Sequence, residues 1–344
     1  MITRRRVTIK QVAQAAGVST QTVSRVLNDR PDVSDDTRRR VRSVISELGF
    51  SPNALARSLI QGRSNTLGVV SYGLSYYGPA RVLTGVERRA AELGYSLLFG
   101  LLRSPETNFG EEIFQNLVDR QVDGIIWAVP EIAGNRSWLL ETRQFSAPIV
   151  FINMQPAPGA VIAAIDNREG GRQATRHLIE RGYRRIGLIS GPLTWWEAQQ
   201  REQGWQQALE EAGLQPDPSL KVAGDWYPSS GASGLETLLT RHPDLQAVFV
   251  CNDPMAAGAL QTARRLGRRV PEDLAIVGFD DVPEAAYYYP ALTTIRQPLV
   301  ELGALAVELL NRLLEQPAPA GADGDGMAAP PAWLQPQMVE RGST

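Results

Sequence analysis

Four side chains near the N-terminus have the types and spacing needed to read base edges. Thr20, Gln21, Ser24 and Arg25 fall at i, i+1, i+4 and i+5, which on a helix is one face. An arginine pairs bidentately with guanine, a glutamine reads adenine, and hydroxyls take bases or phosphates. Catalytic chemistry is poorly served. The paired carboxylates of "GFDD" at 278–281 need further carboxylates or a partner lysine to hold a metal or move a phosphoryl group, and beyond the first 63 residues the only lysine is Lys221. There is no GxGxxG after the first strand, no GxxxxGK[ST] and no GxSxG elbow. One cysteine, Cys251, and two histidines, His177 and His242, exclude a disulfide framework and leave no material for a Cys- or His-rich metal centre. An enzyme is not expected, and neither is a cofactor.

The elements that must position the four polar residues are short. Thr8 caps a helix carrying Ile9, Val12, Ala13 and Ala16 on one face, and Gly17 breaks it. Ser19 caps a second helix running to about Asn28, with Val23 and Leu27 inward. Ser34 caps a third, with Val41, Val44, Ile45 and Leu48 as the buried stripe and Gly49 as the stop. Two helices joined by a glycine turn, with a third behind, is the helix-turn-helix plan, in which the N-terminal residues of the second helix enter the major groove. The amides at Ser19 and Ser34, each at a helix start, suit phosphates. The alternative is a small three-helix domain with solvated polar faces. Charge favours the first reading. Residues 1–63 hold 12 basic and 5 acidic residues, a surplus of seven positive charges, whereas the remainder is negative by nine, so the net −2 averages a basic head and an acidic body.

After Pro52, residues 53–60 fit two turns of helix, too short to be stable alone in water. From Asn65 onward, apolar runs at 67–71, 96–100, 124–129, 149–153, 186–190, 247–251 and 275–279 alternate with helical patterns near 79–93, 109–121, 168–182, 196–213, 230–241, 254–267 and 298–315. That alternation predicts parallel sheets covered by helices on both faces, in two lobes, with a ligand beyond the C-terminal strand ends and between the lobes. Residues 316–332, rich in Pro, Ala and Gly, read as a loop, and "WLQPQMVERGST" returns as a last strand or edge.

These residues carry a resemblance. "VTIKQVAQAAGVSTQTVSRVLN" followed by "VSDDTRRRVRSVISELGFSPNALARSL" resembles the DNA-binding headpiece and hinge of the lac-repressor (LacI/GalR) family. The resemblance implies that Thr20, Gln21 and Arg25 are base-reading positions and that Thr8, Ser19, Thr22, Ser24, Asn28, Ser34 and Thr37 are mostly phosphate contacts. It further implies that paired hinge helices order on the operator, with Leu59 as an apolar wedge in the minor groove, Ala56 at the close helix contact and Asn53 near the backbone. The bare alternative is a linker helix whose Leu55 and Leu59 pack on the body.

The body extends the resemblance to the end of the chain through "TLGVV", "YGPARVLTGVERRAAELGY", "VDGIIW", "IDNREGGRQATRHLIERGYRRIGLISGP", "VFVCNDPMAAGAL", "RRVPEDLAIVGFDDVPEAAYYYPALTTIRQPLVELGALAVELL" and "MVERGST". By position it implies a pocket in which Arg201 grips sugar hydroxyls, Asn252 and Asp280 fix them, Trp226 stacks on the ring and Gln297 sits at the hinge. These types also suit a neutral polyol on physical grounds, since fixed donors and acceptors serve hydroxyls and an aromatic face serves the apolar side of a ring. Trp195, Trp196 and Glu197 align with a ligand-facing loop, the tryptophans being pocket wall or a lid on the core. Tyr72, Tyr76 and Tyr77 lie in the matching first-strand loop, as pocket walls or dimer surface. The tryptophan pair replaces small polar residues, and Leu299 stands where the family's namesake has an aromatic.

The expected fold is an all-α helix-turn-helix headpiece over 1–50, a hinge helix and linker over 51–64, and an α/β bilobed periplasmic-binding-protein-like core over 65–344. The core is two doubly wound parallel-sheet subdomains, about 65–165 with 297–325 and 166–296 with 326–344. The expected function is a cytoplasmic, sequence-specific DNA-binding transcriptional regulator, a repressor, whose affinity for a pseudo-palindromic operator is controlled by a small carbohydrate, a galactoside-like or other disaccharide. No leucine heptad follows the last strand, so a homodimer without a tetramer-forming tail is expected. No run approaches the ~18 apolar residues of a membrane span, and a solute-binding sensor without DNA function is the competing reading.

Overall fold

The structure is a computed structural model that describes residues 7–27, 29–50, 63–103, 109–132, 135–136, 147–316 and 330–344. It divides into two compact units, Met1–Ser64 and Asn65–Thr344.

The first unit contains α1 (Ile9–Ala16), α2 (Thr20–Leu27) and α3 (Asp35–Leu48). Its helices start where hydroxyls stand. Thr8 forms a reciprocal capping box with Gln11, Ser19 Oγ accepts from Thr22 N at 3.0 Å, and Ser34 Oγ accepts from Thr37 N at 3.4 Å. α1 and α3 end on Gly17 and Gly49 at φ 63° and 61°, the left-handed conformation that glycine enters at least cost. Val12, Ala13, Ala16, Val23, Val26 and Val41 form the buried centre. Two inward positions differ from the sequence pattern. On α2 the buried partner of Val23 is Val26, with Leu27 half-buried, because i+3 rather than i+4 faces the short α1. On α3 only Val41 is fully buried and Leu48 is 39% exposed; the 14-residue helix overhangs two helices of eight.

The second unit holds two parallel sheets. The first has the order β11-β5-β4-β3-β1-β2, with β1 (Thr66–Tyr72), β2 (Ser96–Leu102), β3 (Gly124–Ala128), β4 (Ile149–Ile152), β5 (Val161–Ile165) and β11 (Ala332–Leu334). The second has the order β7-β6-β8-β9, with β6 (Ile186–Ser190), β7 (Lys221–Ala223), β8 (Ala247–Val250) and β9 (Ala275–Val277). β10 (Thr294–Arg296) and β12 (Gln337–Val339) form an antiparallel pair. Strands buried on both faces read as unbroken apolar runs. The period of two still sorts them: Val69, Ile126 and Val150 enter one core, while Val70, Ile125 and Phe151 enter the other. The second sheet has a larger core around Leu188, Phe249 and Trp205.

Seven helices cover these sheets: α4 (Tyr77–Glu92), α5 (Phe109–Asp119), α6 (Asn167–Glu180), α7 (Trp196–Glu211), α8 (Pro228–Arg241), α9 (Asp253–Arg265) and α10 (Leu299–Glu315). β5, β7 and β10 escaped the sequence pattern. Their cores "VIAAI", "KVA" and "TIR" are too short or too poor in large apolar residues to stand out. The C-terminal boundary also moves. Residues 332–334 pair with β5 in the first sheet, and only from β12 does the chain join the second lobe, so the expected change of lobe at 326 falls instead after Leu334. No described helix is long and apolar enough to cross a membrane.

Candidate functional site

The polar residues of α2 lie where helical geometry places them, opposite Val23 and Val26. Thr20, Gln21 and Arg25 are exposed and Ser24 is half-buried. Arg25 Nη1 lies 3.3 Å from Asp32 Oδ2, an ion pair about half exposed on both sides. Asp29 Oδ1 takes Arg38 at 3.1 Å and Arg42 at 2.7 Å, tying the end of α2 to α3. The hydroxyls of Thr8, Ser19, Thr22, Ser34 and Thr37 are engaged in the caps. Phosphate contact at these places therefore falls to the free amides that every helix start leaves over. Asn28, Asn53, Ala56 and Leu59 lie outside the described residues.

In the second unit a cavity of about 200 Å³ opens between the lobes at the C-terminal strand ends. A water occupies about 30 Å³ in the liquid, so the space is ligand-sized. Tyr76, Trp195, Glu197, Arg201, Trp226, Asn252, Asp280 and Gln297 all line it. Tyr72 does not. Its ring packs 6.5 Å from Tyr76 and 6.4 Å from Trp195, behind the wall. Trp196 turns away and stacks on Trp333 at 6.4 Å. Tyr77 and Leu299 also reach the cavity.

Arg201 is positioned from below. α6 and α7 cross at reciprocal glycines, where a Cβ on Gly171 would lie 2.3 Å from Arg201 O and one on Gly204 would lie 2.1 Å from Arg168 O. The close crossing lets Arg201 Nε donate to Asn167 Oδ1 at 2.8 Å and its Nη1 to Cys251 O. The guanidinium stacks over Phe279 at 3.8 Å and stands 3.8 Å from Asp280 Oδ1. Asp280 Oδ1 also accepts from Gln297 Nε2 at 2.6 Å, while Oδ2 takes no hydrogen bond among the described residues. Burial pushes the Asp280 carboxyl up to about 6, against the pull of Arg201 and Gln297.

The two carboxylates of "GFDD" serve different ends. Asp280 faces the cavity; Asp281 accepts from Arg296 at 2.7 Å and from Arg341 at 2.6 Å. No group of three or more metal-ligating side chains exists among the described residues. The buried Asp253 holds the loop bearing both, accepting from Val282 N at 2.9 Å and Thr294 Oγ1 at 2.6 Å. Asn252 is similarly committed. Its Oδ1 caps α9 through Met255 N at 2.9 Å, and its Nδ2 donates to Trp226 O at 3.0 Å, leaving one amide hydrogen.

Strain gathers here. Trp226, Asp280 and Asn153 line the cavity with φ of 74°, 118° and 46°, a region non-glycine residues rarely enter and which functional sites often hold. Gly191 admits the Trp226 ring, for a Cβ there would be 2.1 Å from Cη2. Trp226 Nε1 and Glu197 Oε2 are buried without a partner. Asn153, Tyr227 and Arg136 escaped sequence reasoning. Asn153 closes the β4 pattern, so the strand-end rule could have found it. Nothing in the sequence singles out Arg136.

Comparison with known proteins follows this division. Residues 8–53 match the model "Bacterial regulatory proteins, lacI family", and residues 175–344 match "Periplasmic binding protein-like domain". The ribose operon repressor of Escherichia coli (strain K12) is 34% identical over 337 residues, 98% of this chain and 99% of the relative. A solved transcriptional regulator CelR–cellobiose complex is 32% identical with a TM-score of 0.72, covering 98% of this chain and 100% of the other. The lac repressor dimer bound to operator and the anti-inducer ONPF is 30% identical with a TM-score of 0.87, covering 98% and 99%. With its helix-turn-helix head and bilobed α/β body, the chain belongs to the lacI family of bacterial regulatory proteins, DNA-binding regulators of transcription.

Proposed function

We propose that this chain is a cytoplasmic repressor acting as a homodimer, and that a small neutral carbohydrate in the inter-lobe cavity sets its affinity for a pseudo-palindromic operator. Each headpiece reads one half-site. Arg25 takes a guanine, Gln21 an adenine, Thr20 and Ser24 bases or phosphate, and the helix starts at Thr8, Ser19 and Ser34 hold the backbone, with Thr22, Thr37 and Asn28 beside them. The hinge residues Asn53, Ala56 and Leu59 complete the contact at the operator centre.

The observation that carries the effector class is the charge state of the cavity. Arg201 is already occupied by Asn167, the Cys251 carbonyl and Asp280, so it offers no free fork for a phosphate or carboxylate. What remains open is the set a sugar needs: Asp280 Oδ2 and Glu197 Oε2 as acceptors, Trp226 Nε1 and one Asn252 N–H as donors, and the rings of Trp195, Trp226, Tyr76 and Tyr227. A galactoside-like or other disaccharide fits this reading.

Thermal stabilisation across ribose, galactose, lactose, cellobiose, their phosphates and purine bases tests it, because stabilisation grows as RT ln(1 + [L]/Kd). A neutral sugar should raise the melting temperature. Stabilisation by a sugar phosphate or a purine alone would overturn the carbohydrate reading.

A further inference from the structure

Glu197 opens α7 on the second lobe and lines the cavity, with Oε2 buried and unpartnered. Arg136 belongs to the segment after β3 on the first lobe and is 1% exposed. Its Nη2 donates to Val129 O and to Ile152 O at 3.2 Å, the carbonyl ends of β3 and β4, while Nε and Nη1 are buried without partners. Two buried groups of opposite charge, each short of hydrogen bonds and facing each other from different lobes, are expensive to keep. Their mutual attraction is the first compensation. Burial raises the Glu197 carboxyl, Arg136 and Arg201 pull it back towards ionisation, and Glu131 opposes them. The same desolvation lowers the Arg136 guanidinium to about 10.

We propose that Arg136 is a positioning residue for effector selection: it holds Glu197 as an oriented carboxylate, so that the cavity demands a neutral hydroxyl donor at that place. The inference rests on the carbohydrate reading and extends it to a named selecting group. A ligand carboxylate or phosphate would be repelled by Glu197. A ligand ammonium would meet the field of Arg136 and Arg201. A hydroxyl donates to Glu197 Oε2 without adding charge to a buried cluster that already balances two guanidinium groups against Glu197 and Asp280.

The test uses the full-length chain and calorimetric titration of whichever of ribose, galactose, lactose and cellobiose stabilises it, together with the single-deoxy analogues of that sugar. Glu197→Gln should weaken the parent sugar at least tenfold, the range for a hydrogen bond to a charged group. One deoxy analogue should be weakened about equally against the native chain, yet bind Glu197→Gln as well as the parent does. Arg136→Gln should weaken the parent several-fold and add nothing in the Glu197→Gln background; Arg136→Lys should restore part of the loss. Circular dichroism and melting confirm folding, and if Arg136→Gln does not fold, the Arg136→Lys and Glu197→Gln pair carries the cycle. Additive losses, or a Glu197→Gln variant that keeps the full deoxy profile, overturn the proposal. Binding of none of the four sugars overturns the carbohydrate reading itself and this inference with it.

Discussion

Acidification is the perturbation that probes the cavity most selectively. Asp280 is buried and its carboxyl titrates near 6 rather than at 3.8. A raised carboxyl means the folded chain holds its proton longer than the unfolded chain does. The associated stability is therefore full below about pH 4 and lost as pH rises through 6, by ~3 kcal/mol at ~1.4 kcal/mol per unit. Binding has the opposite sign. A sugar hydroxyl that donates to Oδ2 favours the ionised form, so affinity tracks the ionised fraction, about nine-tenths at pH 7 and one-tenth at pH 5. The sugar should bind roughly tenfold more weakly at pH 5, a difference of ~1.4 kcal/mol. Calorimetric titration from pH 5 to 8 reads this directly, in two buffers of different ionisation enthalpy to count released protons. The step should vanish in Asp280→Asn, and any slope left in that variant belongs to other groups, Glu197 first. Parallel profiles for the native chain and Asp280→Asn, or tighter binding at pH 5, would refute the assignment of Asp280 as a ligand acceptor.

Three further outcomes follow from the same geometry. Arg25→Ala should cost ~1–3 kcal/mol of operator affinity and relax base choice at one half-site position; an equal loss on every sequence, in a binding-site selection, would make it a phosphate contact. Asp32→Asn frees Arg25 from an exposed ion pair worth at most ~1 kcal/mol, so operator affinity should rise no more than about fivefold. Gly204→Ala places a methyl 2.1 Å from a backbone carbonyl; denaturant titration should show a loss of ~1–3 kcal/mol and calorimetry weaker sugar binding, as α7 carries Arg201. The Cys251 thiol, fully buried and pushed up to about 12, should resist thiol reagents in the native state and react only on unfolding.

Much of this was legible in the sequence because local chemistry decided it. Thr8, Ser19 and Ser34 mark helix starts by hydroxyl capping, Gly17 and Gly49 mark stops, and the apolar runs that became β1, β6 and β8 are long enough to bury two faces. The pocket set converged because its members sit at strand ends or helix starts, the places a parallel sheet brings together. What escaped depends on tertiary partners. Tyr72 carries the same ring as Tyr76 but ends β1 one layer further back. Trp196 differs from Trp195 only by the rotation of one helical residue, enough to send it to Trp333. Arg136 gains its meaning from Glu197, 61 positions later on the other lobe. β11 became visible only through its pairing with β5, since three residues after a Pro/Ala/Gly-rich stretch carry no period.

The central claim is that occupancy of the inter-lobe cavity changes how the headpieces hold DNA. Its most direct test is the anisotropy of a labelled operator fragment from the protein's own promoter, titrated with full-length protein, with and without saturating amounts of the sugar that stabilises the fold. Coupling of ~1–3 kcal/mol predicts a shift of about 5–150-fold in operator affinity, and the sugar's affinity must change by the same factor when operator is bound. Operator affinity that stays the same at saturating sugar would contradict the account.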